Sequence, residues 1–107
     1  MISTHILDTS IGNPAAGVKV TLEKWDDNAW KQIAQGLTNE DGRHVFDIEK
    51  SPGKYQIHFF TEEYFQKSKT EYFFLQTPVA FKITKIDRKY HVPLLVNPYG
   101  YSTYRGS

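Results

Sequence analysis

Cysteine is absent from the 107-residue chain, which excludes disulfide frameworks, thiolate metal sites and cysteine nucleophiles together. An excess of one charge is missing as well. Thirteen Lys and Arg stand against twelve Asp and Glu, a net of +1, with no basic run or stripe. A nucleic-acid partner is not expected, because neutralising phosphates takes clustered cations. No stretch approaches the roughly 20 apolar residues of a bilayer span, so no membrane partner is expected either. Met1 runs straight into Ile2-Ser3-Thr4-His5, with no basic segment leading into an apolar one, and this predicts a cytoplasmic protein. There is no Gly-rich phosphate loop.

Aromatic residues are plentiful, at 15% with seven Tyr and seven Phe, and they favour strands and large buried surfaces. The length fits one domain spanning residues 1–107. The dominant pattern has period two, the mark of half-buried strands. Val18, Val20 and Leu22 alternate with polar neighbours, as do Tyr55, Ile57 and Phe59, then Val79, Phe81 and Ile83. Asn13-Pro14, Asp26-Asp27-Asn28, Asp41-Gly42, Ser51-Pro52-Gly53 and Asn97-Pro98 supply turn chemistry between the runs. One segment breaks the pattern: Thr61 is a candidate helix cap, Glu62 and Glu63 suit a first turn, and Lys67 suits a last one. The expected architecture is an all-β sandwich of two four-stranded sheets, with one short helix over residues 61–67.

Four segments carry residues that a plain sandwich does not need. If Ile2, Thr4 and Ile6 face the core, alternation sends His5 and Leu7 to the other face. Phe46 and Ile48 inward put Arg43 and Val45 outward. Val92 and Leu94 inward put His91, Pro93 and Leu95 outward. Tyr101 and Thr103 inward put Ser102 and Tyr104 outward. An apolar face with a few convergent polar groups is expected of a ligand pocket or of a subunit interface, and alternation does not separate the two. His44 and His58 read as structural, one beside a core position and the other in the Tyr55–Phe59 alternation. No third ligand falls at metal spacing from His5 and His91, so no metal site is expected. Asp8 belongs to the strand face opposite His5.

The same segments carry a resemblance. Ser3-Thr4-His5-Ile6-Leu7-Asp8, Asp41-Gly42-Arg43, Tyr90-His91-Val92-Pro93-Leu94-Leu95 and the closing Pro98 to Ser107 segment, ending Tyr104-Arg105-Gly106-Ser107, occur in this order in the transthyretin-related 5-hydroxyisourate hydrolases. The chain resembles that family along essentially its whole length. It departs at Leu75-Gln76-Thr77-Pro78, where members often carry a Pro-Glu pair, and at Lys89, where many have His. The resemblance implies a transthyretin-like fold and a homotetramer with a central channel. It implies hydrolysis of 5-hydroxyisourate to 2-oxo-4-hydroxy-4-carboxy-5-ureidoimidazoline, without metal or organic cofactor. It assigns water activation and proton transfer to His5 and His91, in either order, and substrate polarisation to Arg43. It sets Tyr104 and Ser107 to close the site and hydrogen-bond the substrate. The alternative is a non-catalytic transthyretin-like carrier of a small ligand.

Overall fold

The computed structural model describes residues 1–107. The chain order is β1 Ile2–Asp8, β2 Asn13–Pro14, β3 Lys19–Asp26, β4 Ala29–Leu37, β5 Arg43–Phe46, β6 Gly53–Phe59, α1 Thr61–Lys67, β7 Thr77–Ile83, β8 Tyr90–Asn97 and β9 Gly100–Thr103. Two sheets form. One runs β2-β1-β8-β9, with β5 pairing a different stretch of β1; the other runs β4-β3-β6-β7. The first sheet has a member beyond the expected four, because the two-residue β2 forms where the sequence reads as a turn.

The alternation reads through directly. In β1 the residues Ile2, Thr4, Ile6 and Asp8 are buried, while Ser3, His5 and Leu7 are half-buried. Ile2, Ile6, Val92 and Leu94 from one sheet meet Val20, Leu22, Ile57 and Phe59 from the other, and Phe65 closes the core from the helix. Burial of this apolar surface is the main force holding the sheets together. The β3–β4 hairpin turns on Asp27 and Asn28, both at positive φ (52° and 63°), which suits a two-residue connection. Trp25 and Trp30 pair across it at 5.3 Å.

The helix spans the expected residues, but Thr61 is not its cap. Phe60 holds the cap position without a side-chain hydrogen bond, and Thr61 is buried as the first helical residue. The Leu75 carbonyl accepts the Glu62 N–H at 3.1 Å, so the chain returning from the helix satisfies a group that a cap would serve. Asp8 ties the helix to β1: its carboxylate accepts from Tyr64 OH at 2.8 Å and from Ser10 N at 3.0 Å. It therefore stands on the core face, away from His5. No helix is long and apolar enough to cross a membrane.

Tyr101 and Thr103 hold inner-face register opposite Val96 and Leu94. Both stay exposed, contrary to the expected inward placement, because β9 is the edge of its sheet. Tyr101 packs instead edge-on against Phe74 at 5.4 Å.

Candidate active site

The outer face of the first sheet is assembled by register. β1 and β8 run parallel, with Ser3 opposite His91, His5 opposite Pro93 and Leu7 opposite Leu95. On the other side of β1, antiparallel β5 sets Arg43 opposite His5 and Val45 opposite Ser3. β9 adds Ser102 opposite Leu95. Directly paired residues project to the same face. His5, Arg43 and His91, distant in sequence, thus share one face with apolar Leu7, Val45, Pro93 and Leu95.

Arg43 reaches this face through a tight turn. Gly42 sits at φ +73°, and a Cβ there would lie 2.5 Å from the Ile6 carbonyl oxygen, so only glycine lets β5 come this close to β1. That carbonyl's own residue donates its N–H to the Gly42 oxygen at 2.8 Å. Asn39 Oδ1 accepts from the N–H groups of Asp41 and Arg43, each at 2.9 Å, and fixes the turn from inside. Asn39 escapes a reading of the sequence aimed at catalytic residue types. Its place two residues before Asp41-Gly42 is the signal that marks it.

His91 sits at the centre. Ser3 Oγ lies 2.8 Å from its Nδ1. Burial lowers its pKa below the usual 6.5, and the charges of Arg43 and His5 lower it further. The imidazole is therefore neutral near pH 7, with a lone pair to accept a proton. A depression of ≈ 270 Å³ beside it is bordered by Ser3, Arg43, Val45, Lys89 and Ser107. His5 lies outside that border but near enough for its charge to act on His91.

The closing segment divides around His91. Gly106 donates its N–H to the His91 carbonyl at 2.8 Å, and Ser107 borders the Arg43 depression. Tyr104 and Arg105 instead line a larger depression of ≈ 380 Å³ with Phe81, Arg88 and Tyr90, against the free edges of β7 and β9. Tyr104 is 59% exposed there, on the far side of His91 from Arg43. Ser107 is thus placed with Arg43, and Tyr104 within a single chain is not. His91 borders both depressions; we place the site at the smaller one, because Arg43, Ser3 and Ser107 join the imidazole there, on the face that also carries His5. Pro93 lies between: its outer surface is covered by the returning tail, which makes it buried despite its outward register.

The two remaining histidines are elsewhere. His44 stands on the core side of β5, opposite Thr4, with its ring pressed on Gly36 and edge-on to Phe46 at 4.7 Å. His58 belongs to the second sheet, where Nδ1 is 3.0 Å from Gln76 Oε1 and Nε2 is 3.0 Å from Glu23 Oε1, the latter poorly aligned for a hydrogen bond. No group of three or more His, Asp or Glu comes together in an arrangement able to hold a metal ion.

Residues 2–106 match the HIUase/Transthyretin family model. A 5-hydroxyisourate hydrolase from Salmonella dublin is 49% identical over 110 residues, covering 100% of this chain and 81% of that protein. The structure of the Klebsiella pneumoniae 5-hydroxyisourate hydrolase superposes with a TM-score of 0.88 at 35% identity, over 99% of this chain and 98% of that one. Sea bream transthyretin in complex with thyroxine superposes with a TM-score of 0.91 at 27% identity, over 98% and 93%. The fold alone therefore accommodates both a hydrolase and a thyroxine complex, while the identity is higher to the hydrolases. Taken with the register that gathers His5, Arg43 and His91, these matches show that the chain belongs to the HIUase/Transthyretin family.

Proposed function

We propose that this chain hydrolyses 5-hydroxyisourate on the outer face of the β1/β5/β8 sheet. The observation that carries the reading is the convergence of a neutral imidazole, a guanidinium and a second imidazole on one face, in a chain 49% identical to a 5-hydroxyisourate hydrolase. His91 takes a proton from water, and the water oxygen adds to a ring carbonyl of the substrate. Arg43 holds that carbonyl oxygen as negative charge develops on it, since its planar fork is always charged. The carbonyl carbon–nitrogen bond then breaks, and His5 delivers a proton to the departing nitrogen. Water is consumed, and the ring-opened acid is 2-oxo-4-hydroxy-4-carboxy-5-ureidoimidazoline. Ser107 borders the substrate. The chemistry calls for no metal and no organic cofactor.

The working unit is a homotetramer. Two features support self-association: the free edges of β7 and β9, and the aromatic cluster of Phe73, Phe74, Tyr99 and Tyr101 exposed beside them. Tyr104 belongs to this edge region, so its contact with substrate depends on a neighbouring copy.

The test follows the ultraviolet decay of freshly generated 5-hydroxyisourate. The protein is expected to accelerate it well beyond the spontaneous rate. Decay at the spontaneous rate, together with tight binding of an apolar ligand, would instead favour the carrier reading.

A further inference from the structure

We propose that Ser3 and Gly106 are positioning residues: they clamp the His91 ring from opposite sides so that Nε2 alone meets the attacking water. The inference rests on the reading of His91 as the base.

Ser3 and His91 are register partners in the parallel β1–β8 pair, so the 2.8 Å contact between Oγ and Nδ1 is set by the sheet itself. The next residue supplies the counterpart on the core face. Thr4 Oγ1 donates to the Val92 carbonyl at 2.6 Å and ties the same two strands together. With that tie already made, the Ser3 hydroxyl bonds to a ring nitrogen and to no backbone group. A ring flip would replace Nδ1 by Cδ2 and lose this bond.

On the other side the tail returns along β8 in the register of β9, with Gly106 bridged to His91. Pro93 interrupts that ladder opposite Tyr104, because it has no N–H to offer. A Cβ on Gly106 would stand 2.5 Å from His91 Cδ2, 3.2 Å from Cγ and 3.3 Å from Pro93 Cγ. Gly106 is not among the residues at positive φ. Glycine is therefore required at 106 by the imidazole lying on it, and the backbone conformation makes no such demand.

With Nδ1 held by Ser3 and Cδ2 covered by Gly106, the Nε2–Cε1 edge is what remains. A base needs its lone pair on Nε2, and in that tautomer Nδ1–H donates to Ser3 Oγ across the 2.8 Å contact. The groups facing His91 preserve its neutral state. Arg43 on β5 and His5 on β1 repel a proton, and Lys89 and Met1 border the same depression.

The test pairs steady-state kinetics on 5-hydroxyisourate with proton–nitrogen correlation spectra of the His91 imidazole in the full chain. In the unaltered protein, neutral His91 is expected to carry its proton on Nδ1. Ser3→Ala is expected to lower kcat about tenfold with KM unchanged, the rate equivalent of one ordinary hydrogen bond. It should also move the proton to Nε2, and Ser3→Thr should restore both rate and tautomer. Gly106→Ala should displace the ring and lower kcat about 100-fold, as a misplacement of about 1 Å does, and circular dichroism should show the fold retained. Wild-type kcat and Nδ1 protonation in Ser3→Ala would overturn the inference, as would a proton on Nε2 in the unaltered protein. Full activity in Gly106→Ala would remove Gly106 from it. His91→Ala separates the two levels. Full activity there sinks the base assignment, whereas the spectra of the unaltered protein and Ser3→Ala still decide whether the ring is held.

Discussion

His44 and His91 each lay an imidazole on a glycine, and burial lowers the proton affinity of each. Their surroundings differ. His44 faces the core side of β5, against Phe46 and Gly36. Its lowered pKa comes from burial, opposed by a backbone hydrogen bond to Leu37. His91 faces the outer side, where Ser3 bonds its Nδ1 and the charges of Arg43 and His5 bear on it. A shifted histidine pKa is therefore no marker of catalysis by itself. What distinguishes His91 is a cationic neighbourhood on a face with room for a ligand.

The largest effect should come from breaking this pair apart by substitution. His91→Ala should lower kcat/KM by about 10²–10⁴-fold, the range of a lost general base. His44→Ala should leave kcat unchanged and lower stability by about 1 kcal/mol through its lost aromatic contact. Comparable losses of activity in both would erase the distinction. Circular dichroism melts on the same samples separate folding from chemistry.

The acid limb of the pH–rate profile sharpens the comparison next. A base with a lowered pKa keeps kcat/KM level through neutral pH and loses it as acid protonates His91. Arg43→Gln removes one of the repelling charges, so His91 should bind its proton more readily and the limb should move to higher pH. An unmoved limb would mean that Arg43 does not act on the titrating group.

Glycine substitutions invert the roles. Gly36→Ala puts a Cβ into the His44 ring and should destabilise the fold by about 1–3 kcal/mol, the usual cost of overpacking. Its kcat per folded molecule should stay normal. A thermal melt that left Gly36→Ala at the wild-type midpoint would show that the His44 ring has room to move.

Both histidines also link stability to pH with the same sign. Their folded pKa values lie below the ordinary 6.5, so the unfolded chain takes up protons first as pH falls. The stability they contribute is complete above that value and is lost through the window down to their folded pKa values. His44→Phe should flatten part of this slope in melts between neutral and mildly acid pH. The smallest effect is expected at His58, half-buried on the interior strand β6, where substitution by Ala removes the contacts to Glu23 and Gln76 and should cost about 0.2–1 kcal/mol.

The strand faces were legible because alternation is a local property. Ile2, Thr4 and Ile6 against Ser3, His5 and Leu7 is written in consecutive residues, and the structure buries the first set. The helix over 61–67 was legible for the same reason, through its acidic start and basic end. Its cap was not, because the Leu75 carbonyl that serves the Glu62 N–H arrives from beyond the helix. Tyr101 misled because alternation predicts a side, and exposure follows from the strand's place in the sheet. Asn39 and Gly106 were missed as working residues because neither carries reactive chemistry.

By itself the sequence determined a two-layer β protein with His5, Arg43 and His91 on the outward side of their strands. Period-two patterning and turn residues act within a few positions, which is enough for that. Only the tertiary structure decided which outward residues are neighbours. The parallel β1–β8 pair brings Ser3 to His91 across 88 positions, and the returning tail lays Gly106 on the other edge of the same ring. Register between distant strands comes from burying one face of every strand at once, and no single segment contains it.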